Sequence, residues 1–109
     1  MARRKAILVV EITATADRDL MLIWDFNAQT RGHLEADRWD SFLRTTIEKL
    51  TTDYDRGRSV GNAPEIRFIT ARKRPKAHGH IVVFQIDYEA MRIRILHIFH
   101  TSQDWQNKL

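Results

Sequence analysis

Five histidines (His33, His78, His80, His97 and His100) are the side chains of this 109-residue sequence best suited to moving a proton near neutral pH. Arginines lie close by, and a guanidinium grips phosphate or carboxylate oxygens in a fixed fork. Cutting a phosphodiester would use a base, an acid and cations for the charge that develops on phosphate. For that chemistry His100 is the candidate acid or base, with Arg67 and Arg94 as the cations. No cysteine is present, which excludes disulfides and cysteine-ligated metals. His78 and His80 share a strand face, as ligands would, but His97 and His100 are an odd number of residues apart and point to opposite sides. No carboxylate lies near them on one face, so no metal or other cofactor is expected.

The elements that must position these groups follow from periodicity. Ala6 to Ile12 is short, apolar and β-branched, and reads as a buried strand. Thr13 or Thr15 can cap the helix that follows, with Asp17 and Asp19 in its first turn. Ala16, Leu20, Ile23, Trp24 and Asn27 form its apolar stripe; Leu22 and Phe26 widen the stripe beyond a single contact. Arg31-Gly32-His33 breaks the chain. A second helix, Leu34 to Thr51, repeats Ala36, Trp39, Leu43, Ile47 and Leu50, and so short a joint makes the pair antiparallel. Thr52 to Pro64 reads as loop. Three strands complete the chain: Glu65 to Ala71, His80 to Asp87 and Met91 to His100, with a basic turn at Arg72 to Lys76 and a short tail from Thr101. The expected fold is α+β, a strand and an antiparallel helical hairpin followed by a three-stranded antiparallel sheet, all in one domain.

Strict alternation then sorts the side chains. His80, Val82, Phe84 and Ile86 share one face of the second of these three strands, opposite Ile81, Val83, Gln85 and Asp87. On the last strand Ile93, Ile95, His97 and Phe99 oppose Arg92, Arg94, Leu96, Ile98 and His100. His80 and His97 thus read as hydrogen-bonded structural histidines. His100, at a strand end, either caps the tail or contacts a partner. If the helices cover Val82, Phe84 and Phe99, the outer face carries Ile81, Val83, Leu96 and Ile98 inside a rim of Arg67, Arg92 and Arg94. A water-facing sheet surface of that kind marks a partner-binding site, unless the chain's own tail covers it.

Charge adds direction. Glu11 to Asp55 holds five Lys/Arg against ten Asp/Glu, whereas Arg56 to Arg94 holds nine against three. The basic half can attract a polyanion or an acidic partner to one side only. Arg72 to Lys76 lacks interleaved aromatics that would stack bases. The apolar run after Arg3-Arg4-Lys5 stops at Glu11, too short for a secretion signal, and no stretch approaches a bilayer span, so a soluble cytoplasmic protein is expected.

Several short motifs occur in a telling order. Thr15-Ala16, Asp19-Leu20 and Ile23-Trp24 open the first helix. Pro64-Glu65-Ile66-Arg67 lies mid-chain, then His80-Ile81-Val82-Val83-Phe84, then Ile93 to His100 with Gln103-Asp104-Trp105. Through nearly its whole length the chain resembles the RelE/ParE superfamily of bacterial toxins, the ParE-like branch in particular. The resemblance implies a plasmid-stabilisation type toxin of a type II toxin–antitoxin system, wrapped and silenced by a cognate antitoxin. RelE-like members cut mRNA on the ribosome, and characterised ParE-like members poison DNA gyrase. Where the nuclease branch has Arg after the central His and two residues before its terminal catalytic position, this chain has Ile81 and Ile98. The C-terminal catalytic Tyr has no counterpart. The resemblance therefore implies a toxin that binds a large target such as gyrase, with an amphipathic antitoxin segment on the outer face. Alternatives are a ribosome-dependent endoribonuclease using His100, Arg67 and Arg94, and a degenerate member that binds only its antitoxin. No membrane or small-molecule partner is implied.

Overall fold

A computed structural model describes residues 5–109; Arg3 and Arg4 of the basic N-terminal run lie outside the described residues. The order is β1 (Val9–Ile12), α1 (Ala14–Arg31), α2 (His33–Glu48), α3 (Leu50–Asp53), a 3-10 turn (Tyr54–Arg56), β2 (Arg58–Val60), β3 (Ala63–Ala71), β4 (His80–Asp87), β5 (Arg92–His100) and a closing 3-10 turn (Trp105–Lys108). The strands form one five-stranded sheet, β1-β5-β4-β3-β2, in which β1 runs parallel to β5 and the other pairs are antiparallel. The expected α+β architecture is present, with one strand added and the sheet enlarged to five: the expected first strand, β1, joins the sheet beside β5, and β2 forms inside the segment read as loop. Arg58-Ser59-Val60 is too short to show a period of two, which is why it passes for loop.

Local chemistry explains the helical hairpin. Thr13 caps α1, its hydroxyl accepting from the Ala16 N–H at 3.3 Å. Gly32 ends α1 and starts α2 at φ 91°, a backbone state that costs glycine no Cβ clash, while its N–H satisfies the Ala28 carbonyl. Trp24 Nε1 donates to Asp37 at 2.9 Å, and Leu20 and Met21 lie against Asp40 and Arg44, so the two helices run in opposite directions. Asp40 and Arg44 pair at 2.9 Å along α2. The helix ends at Glu48, and Leu50 begins a separate turn that keeps its side chain in the core.

The hairpin packs on one sheet face. Ala16 and Leu20 of α1, Leu43 and Ile47 of α2, Leu50 and Tyr54 meet Val82, Phe84, Ile86, Ile93, Ile95 and Ile98 in the main core. A second cluster on the opposite face gathers Ile81, Val83, Phe99 and Trp105, with Ile66, Phe68 and Leu96 beside them. Two expectations are corrected here. The outer face is not open: Trp105, folded back by the closing turn and 9% exposed, covers Ile81 and Val83, its ring 4.8 Å from that of Phe68. Nor does alternation hold along β5. Phe84 pairs with Ile95 and Val83 with His97, so Leu96 is left without a partner. This β-bulge reverses the sides of every later residue. Ile98 pairs with Val82 and lies 4% exposed beneath the helices, whereas Phe99 pairs with Ile81 on the outer face. His97 goes outward too, stacked on Phe99 at 5.0 Å. His100 pairs with His80, on the helix side.

Candidate functional site

Beyond the Ile12–Ile95 pair, β5 has no strand on its β1 side, and that open edge is finished by side chains of the first helix and its cap. Thr13 donates from both backbone and hydroxyl to the Ile95 carbonyl, and Asp19 Oδ2 accepts the Ile98 N–H at 3.0 Å. Asp19 also lies 3.7 Å from His97 Nδ1. These bonds hold the N-terminal half of α1 against β5. Farther along, the helix and the sheet part, and a cleft of about 640 Å3 opens between them. Ile23, Leu22 and Phe26 form its apolar wall, Ile98, His80 and His100 its floor, and Arg31 and Lys108 stand among its lining residues. Leu22 and Phe26 are 58% and 65% exposed: the widened stripe of α1 faces this opening instead of a second layer of protein.

The floor is a histidine group. The His100 ring lies 5.4 Å from that of His80 and 5.6 Å from that of His78. Gly79 lets the chain enter between them, because a Cβ there would sit 2.2 Å from the Ala71 carbonyl oxygen. His80 is 6% exposed, and its Nδ1 receives a hydrogen bond from Trp39 Nε1 at 3.0 Å. Indole nitrogen can only donate, so Nδ1 must accept and the imidazole proton sits on Nε2. Desolvation, then the His100 charge, holds the His80 pKa down to about 4. The His100 Nδ1 accepts from the Ser102 N–H at 3.1 Å, which likewise leaves its proton on Nε2, and its ring lies 2.6 Å from the Ser102 hydroxyl. Burial, then His78, lowers the His100 pKa below the usual imidazole value. At neutral pH both rings are uncharged N–H donors.

The candidate residues of the sequence reading do not converge. His100 lies in the cleft, but Arg94 is on the opposite sheet face and six residues away, bonded to Asp87 at 2.9 Å and 3.9 Å from Glu11. The Asp87 bond raises the Arg94 pKa further, and the same bond holds the Asp87 carboxyl below the usual range. Arg92 pairs with Glu11 at 3.4 Å. Arg67 shares a face with Phe84 but donates to the carbonyls of Pro64 and Gly57 at 3.3 and 3.2 Å, four positions along the sheet from the His80 pair. Of the proposed partner-binding face, Ile81 and Val83 are buried under Trp105, Ile98 is buried under α1, and Leu96 is half-buried. Among the described residues no group of three or more His, Asp or Glu has the geometry to hold a metal ion, the histidine group included. No described helix is long and apolar enough to cross a membrane.

The sequence reading missed Trp39 as the partner of His80, and it missed the meeting of His78, His80 and His100. One signal was available: Ile95 and Ile98 are both core-type residues at an odd spacing, which a regular strand cannot bury on one side.

Comparison with known proteins bears on the family and the fold. The model of the ParE toxin of the type II toxin–antitoxin system parDE matches residues 10–105. The fold superposes on a chain from the chromosomal ParDE toxin–antitoxin system of P. aeruginosa with a TM-score of 0.71 at 20% identity, covering 88% of this chain and 98% of that one. It also superposes on a chain of the RelBE2 toxin–antitoxin complex of Mycobacterium tuberculosis with a TM-score of 0.60 at 20% identity, covering 85% and 96%. No curated protein matches the sequence.

Proposed function

Because this chain belongs to the ParE toxin family of type II toxin–antitoxin systems, we propose that it acts in the cytoplasm by binding a large target, DNA gyrase, and is silenced by a cognate antitoxin. The observation that carries this reading against RNA cleavage is the bulge at Leu96. It sends His100 to one side of the sheet and leaves Arg94 on the other, its charge already matched by Asp87 and Glu11. A phosphodiester held by Arg94 would lie beyond the reach of His100, since acid–base transfer needs heavy atoms about 3 Å apart. Ile81 and Ile98 supply no cation in its place, and preorganised charge is the largest single contribution to such catalysis.

The endoribonuclease reading keeps one observation, the three imidazoles beside Arg31 and Lys108. Ribosomes carrying a defined mRNA, incubated with purified protein, separate the two. We expect intact mRNA; codon-positioned cleavage that disappears in His100→Ala would replace gyrase binding with RNA chemistry. Induction without an antitoxin should arrest growth, and co-expression of the small protein encoded in the adjacent reading frame should restore it. Normal growth under strong induction would instead favour a degenerate member that binds only its antitoxin.

A further inference from the structure

The cleft beside α1 has a feature that toxin status alone does not explain. Two imidazoles on its floor are locked with the proton on Nε2 by donors behind them, Trp39 Nε1 for His80 and the Ser102 N–H for His100. His80 is more than nine-tenths buried, yet its Nε2 has no hydrogen-bond partner among the described residues, and no fully buried side-chain polar atom there is left unpartnered. That nitrogen is therefore accessible, and the opening that His80 and His100 both line is the cleft. Two fixed donors lining one opening call for an acceptor, and an anionic oxygen is the strongest one. We propose that the cleft floor is a carboxylate-binding subsite, occupied by an acidic side chain on an amphipathic segment of the antitoxin.

This rests on the reading of the chain as an antitoxin-silenced toxin, and it names where and by what chemistry the silencing partner is held. The wall opposite the donors is Leu22, Ile23 and Phe26, which suits apolar side chains spaced around one acid. Arg31, Lys108 and His78 surround the opening with positive or chargeable groups, and the basic turn Arg72 to Lys76 runs directly into His78. Asp19 is the one carboxylate of the wall, and its Oδ2 is engaged by the Ile98 N–H and lies near His97. The exposed phenyl and leucyl side chains favour a protein segment over a nucleic-acid backbone, whose phosphates gain nothing from them.

Two measurements test this. Long-range 1H–15N spectra of the full chain follow the imidazole nitrogens during titration with 4-phenylbutyrate, 4-phenylbutanol or inorganic phosphate. The carboxylate should move the Nε2 signals of His80 and His100, the alcohol should not, and His100→Phe should abolish the response. Silence toward phenylbutyrate, or an equal response to phosphate without the apolar body, overturns the subsite as a carboxylate site. Next, affinity is measured for the small protein encoded in the adjacent reading frame, with near-UV circular dichroism as the check on folding. Losing one charge-assisted hydrogen bond in His100→Phe should weaken binding about tenfold. Phe26→Asp should weaken it more, and Glu89→Ala, at the far β4–β5 turn, should not change it. Wild-type binding with no loss in folded His100→Phe and Phe26→Asp overturns the subsite while leaving the toxin reading intact. Wild type that binds no antitoxin removes the toxin reading, and the proposed occupant with it.

Discussion

The burial of His80, with His100 beside it, sets a pH dependence that belongs to one side chain. Burial keeps His80 neutral in the fold with a pKa near 4, whereas the unfolded chain protonates it near 6.5. Between those values the unfolded state binds more protons, so this contribution is fully present above pH 6.5 and is lost as pH falls toward 4. From pH 8 to pH 5 the loss amounts to about 2 kcal/mol. His80→Gln, whose side-chain oxygen can still accept from Trp39, should flatten that slope in urea titrations at the two pH values. An unchanged slope would show that His80 is already charged in the fold. Asp19 is the other residue whose role is invisible in sequence. Its carboxylate reads as a helix-dipole partner, but it caps the open edge of β5 through the Ile98 N–H. Asp19→Ala should therefore cost about 1–3 kcal/mol, the penalty for an orphaned donor, and Asp19→Asn distinctly less. Equal losses in urea unfolding would refute the capping role.

At the scale of elements, the strong periodic segments were legible. β4 occupies the predicted span, His80–Asp87, because six of its eight residues are buried and β-branched or aromatic types dominate. The helical hairpin was equally plain from Ala36, Leu43 and Ile47 and from Gly32 at the joint. What alternation could not carry was a single unpaired residue. Leu96 is apolar and looks at home in a strand of apolar residues, so the residue itself gives no mark of a bulge; only the odd spacing of Ile95 and Ile98 does, and strict alternation puts every residue after Leu96 on the wrong side. The tail was hidden for a different reason: Thr101 to Leu109 has one large apolar residue in its middle, and only tertiary contact shows that Trp105 closes the outer face. Trp105→Ala should destabilise the fold by about 3 kcal/mol, at the low end for a large aromatic because the site is near the surface. It should also uncover Ile81 and Val83, seen as new binding of a hydrophobic dye. A variant as stable and as dye-free as wild type would mean that the tail does not cover that face.

The whole molecule divides its labour between faces. The helical half is acidic and the later half basic, and the cleft that joins them carries cations from α1 and the tail. Closing the outer face with Trp105 leaves the exposed apolar side of α1 as the surface in want of a partner. Separating Arg94 from His100 leaves Arg31 and Lys108 as the cations that line the histidine cleft. On the reading proposed above, the protein works by holding on to something large. The most direct test is DNA supercoiling by purified gyrase in the presence of the purified chain, freed of antitoxin. Inhibited supercoiling with accumulation of cleaved DNA is the predicted result, and adding antitoxin should reverse it. Untouched supercoiling, together with mRNA cut on the ribosome by wild type and spared by His100→Ala, would contradict the account.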